Sequence, residues 1–226
     1  MIDPSITVTV PAVDRNLLTI AQLRAIAGVT DSSQDTTLTA LGVVVSEAIV
    51  NACGVARDGA VPPTLMKESI LQTTRLGRGR DGNMASDTRP LCRLILSRRP
   101  ILSVTSVTED GVVLDPSFYE RRDGQGILIR LNASDDEIPW RGRKIVIAYD
   151  AGHATVPAGL VLAAQQYAQI LFWQAGRDPR KQLQVSEAPD LGMSRSQWFH
   201  DAHEGAAIPR SIMDLLDAGG YVRPAF

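Results

Sequence analysis

The chain of 226 residues is short of several things, and each shortage narrows what it can be. It has two cysteines, Cys53 and Cys92, far apart and each within an apolar pattern. That is too few for a disulfide framework, and free thiols are expected. Basic residues are not in surplus: 23 Lys and Arg stand against 25 Asp and Glu, a net charge of −2. Proteins that grip nucleic acid through its phosphates ordinarily carry a basic excess, so tight DNA binding is not expected. No stretch reaches the roughly 18 uncharged apolar residues of a bilayer span. The nearest, 157–176, is interrupted by Gln165, Gln166, Gln169 and Gln174. The opening MIDPSITVTVP lacks a basic region followed by an apolar core, so no signal peptide is expected there. Aromatic residues are scarce at 5%, but a hydrophobic content of 44% suffices for a core. The length allows one ordinary domain with an extension, or two small domains.

Constellations that carry chemistry are also missing. Gly77-Arg78-Gly79-Arg80-Asp81-Gly82 fits GxGxxG. A dinucleotide site needs a helix to open at the third glycine within a βαβ frame, and neither follows, so a polar loop over 77–89 is expected. His200-Asp201-Ala202-His203-Glu204 sets two imidazoles three apart, and the remaining histidine is His153. That ligand set is incomplete for zinc, and a solvated segment is expected. Ser103, Thr105 and Ser106 lie in a β-branched run without a GxSxG elbow, which reads as a half-exposed strand. Asp135, Asp136 and Glu137 read as a solvated charge cluster. No catalytic residue, metal or cofactor is therefore assigned, and the chain is read as not an enzyme.

Local signals predict α+β architecture. Positions 6–10 alternate, as in a short strand or extended arm. A helix is predicted over 18–27, with Thr19 as N-cap and Gly28 as stop. A longer helix follows a polar start at 31–35, with Leu38, Leu41, Val45, Ile49 and Ala52 on one stripe. Val43, Val44 and Val50 lie off that stripe, and a second apolar face implies a second packing partner. Strands are predicted over 64–76 and 101–108. Asp110-Gly111 supplies the positive φ values of a two-residue hairpin. A second hairpin is expected around Asp123-Gly124, and a strand over 144–149. Pro157 then opens a long helix to Gly176. Residues 177–205 show no strong periodicity. A short amphipathic helix over 208–218 ends at Gly219-Gly220. The expectation is a mainly helical core domain over 1–176, with three core helices and a small antiparallel sheet. An extended arm over 177–226 ends in a short helix.

The order of these pieces carries a resemblance. Leu17-Leu18-Thr19-Ile20-Ala21-Gln22-Leu23-Arg24 comes first, then Pro63-Thr64-Leu65 entering a strand. The block from Leu94-Ile95-Leu96 through Arg98-Arg99-Pro100 to Val104-Thr105-Ser106-Val107 follows. Tyr149-Asp150-Ala151-Gly152 and Val156-Pro157 complete it. The sequence resembles the head–tail connector adaptor (head completion) proteins of long-tailed phages and gene-transfer agents. The resemblance implies a structural virion neck protein, assembled in the host cytoplasm. It would form a dodecameric ring below the portal, extend the DNA channel and receive the next neck protein. Its partners would be the portal, neighbouring copies, a stopper or tail-terminator protein, and double-stranded DNA passing without sequence recognition, with no membrane. A stopper or tail-completion protein is the alternative within the neck. A small nucleotide-dependent enzyme is the reading of another class, which the missing βαβ frame disfavours.

Under this resemblance the arm is expected to dock on the portal. Ile208, Ile212, Leu215 and Leu216 would fill a groove, with Pro209 opening the helix and Tyr221 and Arg223 anchoring its end. The ring wall is expected to use Val43, Val44 and Val50 from one long helix. From the other it would use Val161, Ala168 and Phe172. Gln165 and Gln169 fit either that helix's solvent side or a hydrogen-bonded subunit boundary.

Overall fold

The structure, a computed structural model, describes residues 2–76, 91–175, 183–188, 192–197 and 208–222. The chain folds as two compact units, Met1–Arg15 with Val55–Thr155, and Asn16–Gly54 with Val156–Phe226. This division does not follow the expected boundary at residue 176. The 16–54 segment and the segment after 155 belong to one unit, because the helices of both halves bury their apolar faces on each other.

The first unit is built of antiparallel strands. β1 (Ile2–Val10), β2 (Glu68–Leu76), β4 (Ile101–Glu109), β5 (Val112–Val113) and β8 (Lys144–Ala151) form a sheet in the order β1-β2-β8-β4-β5. β3 (Arg93–Ile95), β6 (Tyr119–Arg122) and β7 (Ile127–Arg130) form a smaller sheet in the order β3-β7-β6. Alternation sets the core. Ile145, Ile147, Tyr149 and Ala151 of β8 turn inward with Ile70, Val107, Leu94 and Leu128. The Asp110-Gly111 hairpin forms as expected, with φ of 49° and 90° at its two turn residues. Both carboxylates of that corner are tied down. Glu109 Oε1 accepts the Arg141 and Gly142 N–H groups at 2.7 and 2.6 Å, and Asp110 accepts those of Arg143 and Lys144 at 3.0 and 2.8 Å.

β2 carries a polar stripe into the interior, since Glu68, Gln72 and Thr74 are buried. Such groups must be hydrogen-bonded to be tolerated. Gln72 Oε1 accepts from Ser97 N at 2.7 Å and from the Tyr149 hydroxyl at 3.1 Å, while its Nε2 donates to Ile95 O at 3.1 Å. One side chain thus pins the turn between β3 and β4 onto the sheet. At the outer edge, Val8 N donates to Asp58 Oδ2 at 3.1 Å. The Val8 N–H therefore faces away from β2, and by alternation so does the position of Pro4, which has no N–H to offer. Proline and a side-chain cap blunt this edge against strand addition.

The second unit holds α1 (Ile20–Ala27), α2 (Asp35–Ala52), α3 (Ala158–Ala175) and α4 (Arg210–Ala218), with a two-stranded hairpin of β9 (Leu183–Ala188) and β10 (Gly192–Gln197). α1 begins with the capping box of Thr19 and Gln22 and ends at left-handed Gly28. Arg24 donates Nε to Asp35 Oδ1 at 2.7 Å, and Nη2 to Oδ2, tying α1 to the start of α2. α3 packs against α1, α2 and α4. No helix among the described residues is long and apolar enough to cross a membrane.

Helix and strand are of similar extent, so the architecture is mixed α and β rather than mainly helical. Among the described residues four helices, not three, make the helical unit, because α4 is part of it. The β9–β10 hairpin lies where no periodicity was legible.

Candidate interaction surfaces

The helical unit sorts the expected ring-wall residues into two groups. The face of α2 that packs is Leu38, Gly42, Val45, Ser46, Ile49 and Val50. Gly42 and Ser46 are part of it for steric and polar reasons. A Cβ at Gly42 would stand 2.9 Å from the Leu23 Cδ1, so glycine lets the helices approach. Ser46 Oγ donates to Gly42 O at 2.7 Å and accepts from the buried Leu17 N at 3.0 Å. Val50 is therefore core, a correction to its expected place on a free face. Ala168 is likewise buried in α3 with Leu160, Ala163, Ala164 and Tyr167. Val43 and Val44 are exposed, Val44 by 54%. Val161, Gln165 and Phe172 are half-buried and Gln169 is exposed.

Two residues of this surface escaped the sequence reading. Leu162 and Trp173 are 45% and 54% exposed. With Gln166 and Gln169 they recur at intervals of four, three and four, one helical stripe opposite the buried one. That spacing was present in the sequence, masked by the apolar character of the whole helix. Phe172 meets Trp173 edge to face with centroids 5.8 Å apart. The stripe leaves one leucine and one tryptophan exposed beside two glutamines.

The arm helix is not free. Ile208, Ile212 and Leu216 are buried, and α4 lies on α3. Tyr221 closes over α3, its hydroxyl 3.1 Å from where a Gly159 Cβ would stand. A helix of nine residues is marginal alone in water, and its own unit supplies the apolar cover it needs. The expectation that these three side chains fill a portal groove is corrected accordingly. Pro209, Leu215 and Tyr221 are half-buried. Arg223 lies outside the described residues, as do the GxGxxG run at 77–82 and the histidine pair at 200–204.

In the strand unit, polar side chains brought together by the fold are mutually engaged. Asp150 accepts the Ser69 hydroxyl at 2.7 Å and pairs with Lys67 at 3.0 Å. The Ser69 hydrogen bond first, then Lys67 and Ser103, hold its pKa below the ordinary value. Ser103 is thus a hydrogen-bond donor to a carboxylate. Glu137 takes a forked pair from Arg93 at 3.1 and 2.9 Å, which lowers its pKa. Arg98 and Glu68, nearly inaccessible at 4% and 1%, form a buried pair at 3.1 Å. Burial raises the Glu68 pKa and lowers that of Arg98, each opposed by its partner's charge. Arg98 Nη1 also donates to Thr64 O at 2.8 Å, while Glu68 Oε1 keeps no hydrogen-bond partner. Burial also lowers the His153 pKa. Among the described residues no group of three or more His, Cys, Asp or Glu is placed to hold a metal ion.

No family model matches this chain. No curated protein matches it either. Among solved structures, it is similar to a chain of the neck of an empty GTA particle computed with C6 symmetry. The two share 19% identity and a TM-score of 0.46, over 78% of this chain and 87% of that one.

Proposed function

We propose that the chain is a structural neck protein of a phage or gene-transfer-agent particle, a head–tail connector adaptor that closes into a dodecameric ring below the portal. The observation that carries this reading is the pair of uncovered apolar stripes on the helical unit. Val43 and Val44 of α2, and Leu162 and Trp173 of α3, stay exposed although both helices already bury a full face within the unit. Large exposed apolar residues grouped with amides mark a protein interface. The order of elements shared with connector adaptors supports the same reading. In this role the portal and the next neck protein are the partners, and the protein works by binding alone. DNA passes the ring without base recognition, in keeping with the net charge of −2.

The test is Val44→Asp. The exposed position predicts a folded monomer, with stability changed by no more than about 0.5 kcal/mol. Ring formation on the portal is expected to be lost, seen as the absence of the neck ring in electron micrographs of assembled particles. Normal necks built from this variant would refute the assignment of α2 to the ring wall.

A further inference from the structure

One strand of the larger sheet is held by little besides its neighbour. β1 pairs with β2 from Ile2↔Leu76 to Val10↔Ser69, and β2 is the element on which it packs extensively. From Pro4 to Val10 no side chain of β1 is buried, and Ile6 meets the core half-buried. Ser5 Oγ and Thr9 Oγ1 add side-chain grips, donating to Thr73 O at 3.4 Å and to Ser69 O at 3.0 Å. β2 is placed independently of β1. It buries Glu68, Ile70, Gln72 and Thr74, and pairs with β8 from Glu68↔Ala151 to Arg75↔Lys144. The edge that β1 covers is therefore a formed strand site with a set register.

Chain order makes β1 a separable piece. Residues 1–15 belong to the strand unit, but the chain then enters the helical unit at Asn16 and returns at Val55. A bulge between Val8 and Val10 turns the chain off the sheet, and Pro11 follows. Ala12 is held there, its N–H on the Glu68 carboxylate. Beyond it Val13 and Asp14 are exposed, Val13 fully. Val10–Asp14 border a groove of about 440 Å³ facing Met66–Ser69 and His153-Ala154, so the exit is not packed shut. A short hinge between a strand and the rest of its chain invites exchange of that strand between copies.

A second copy can join this sheet only by replacement. Outside β1 the edge is closed, because Pro4 has no N–H and the Val8 N–H is taken by Asp58. At the opposite edge β5 is two residues long, too short to receive a strand of this length. The replacement that fits is β1 itself. The same sequence in the same register remakes the ladder, both hydroxyl grips, and the contacts of Val8 with Asp58 and of Ala12 with Glu68. We propose that β1 of one copy, with the chain to Ala12, leaves its own β2 and seats on β2 of the next, redirected at Val13-Asp14. From Ala12 to Asn16 the chain spans at most about 14 Å, so exchanging copies are immediate neighbours. The bonds are the same within one copy and between two, so the local concentration of copies decides between the arrangements. Here the inference rests on the ring reading, which sets copies side by side. Donor strand and acceptor edge are different patches, so exchange runs head-to-tail into a ring or closes reciprocally in a dimer.

The experiment uses the full chain with Cys92→Ser, leaving the buried Cys53 in place. Ser5 and Thr73 oppose each other in the ladder, within reach of a disulfide. One preparation carries Ser5→Cys and another Thr73→Cys. They are mixed, incubated at up to about 1 mM and oxidised, and linked peptides are identified by mass spectrometry. A 5–73 linkage between copies is expected, in at least tenfold higher yield than from Ser5→Cys mixed with Ser69→Cys, which is half-buried like Thr73 but out of register. Equal yields would mean chance collision and overturn the exchange, as would absence of the linkage. A second variant carries Ser5→Cys and Thr73→Cys in one chain and is oxidised while dilute, which locks β1 on its own β2. Native mass spectrometry should show at least tenfold less oligomer from the locked protein, restored on reduction. Rings formed equally well by the locked protein would keep the ring and overturn the exchange. Linkage confined to dimers would keep the exchange and sink the ring.

Discussion

Replacing Leu216 with alanine decides whether α4 belongs to the helical unit's core. Leu216 is fully buried, and with Ile208 and Ile212 it makes the face that α4 lays on α3. Truncating a buried leucine costs about 2–5 kcal/mol, from lost transfer energy and the cavity left behind. α4 is held by few such side chains, each stabilising by about 1.5–3 kcal/mol, against the entropy of ordering the helix. Its net docking energy is therefore small, and the mutation acts first as local undocking. Since each 1.4 kcal/mol is tenfold in an equilibrium, amide exchange across Arg210–Ala218 should quicken by about 30-fold or more. Exchange in α2 should change far less. Leu215→Ala, at a half-buried position, should produce a clearly smaller effect. Hydrogen exchange read by mass spectrometry on the isolated chain measures both. If Leu216→Ala leaves α4 exchange at the wild-type rate, α4 is not held by α3 and the free-arm expectation returns.

Ser46→Ala strips the Leu17 N–H of its acceptor inside the helical unit, and should cost about 1–3 kcal/mol. Urea denaturation should show a lower midpoint with an unchanged slope, and an unchanged midpoint would mean that the Leu17 N–H finds another acceptor. Asp58 accepts the N–H groups of Val61, Ala60 and Val8, at 2.6, 2.8 and 3.1 Å, and the Val61 bond is the largest cause of its lowered pKa. A carboxylate with a depressed folded pKa stabilises above its ordinary value of 3.8 and loses that contribution as pH falls through the folded value. Asp58→Asn keeps an acceptor but no charge, so its stability should fall less on acidification below that pH. Parallel acid titrations of melting temperature for the two proteins would show Asp58 to be unimportant.

Local chemistry was legible wherever a few neighbouring residues settle the matter. Thr19 as N-cap, Asp110 with Gly111, and Pro157 ahead of an apolar run each act over one turn, and the fold uses them as read. The resemblance rested on the order of such pieces, which any single sequence displays. The packing face of α2 was legible only in part, because Gly42 and Ser46 join it through close approach and a hydrogen bond rather than through hydrophobicity. Leu162 and Trp173 repeat at helical spacing, but in a helix apolar on most sides periodicity cannot say which face is covered.

What the tertiary structure alone decided is long-range. The β2–β8 pairing joins Glu68 to Ala151 and Ser69 to Asp150, and nothing near either partner announces it. The same pairing buries Glu68 beside Arg98 and opens the groove at the end of β1. Residues 208–218 read as an amphipathic helix from their spacing. Amphipathicity states that one face must be covered, not by what, and only the packing of α4 on α3 supplied the answer.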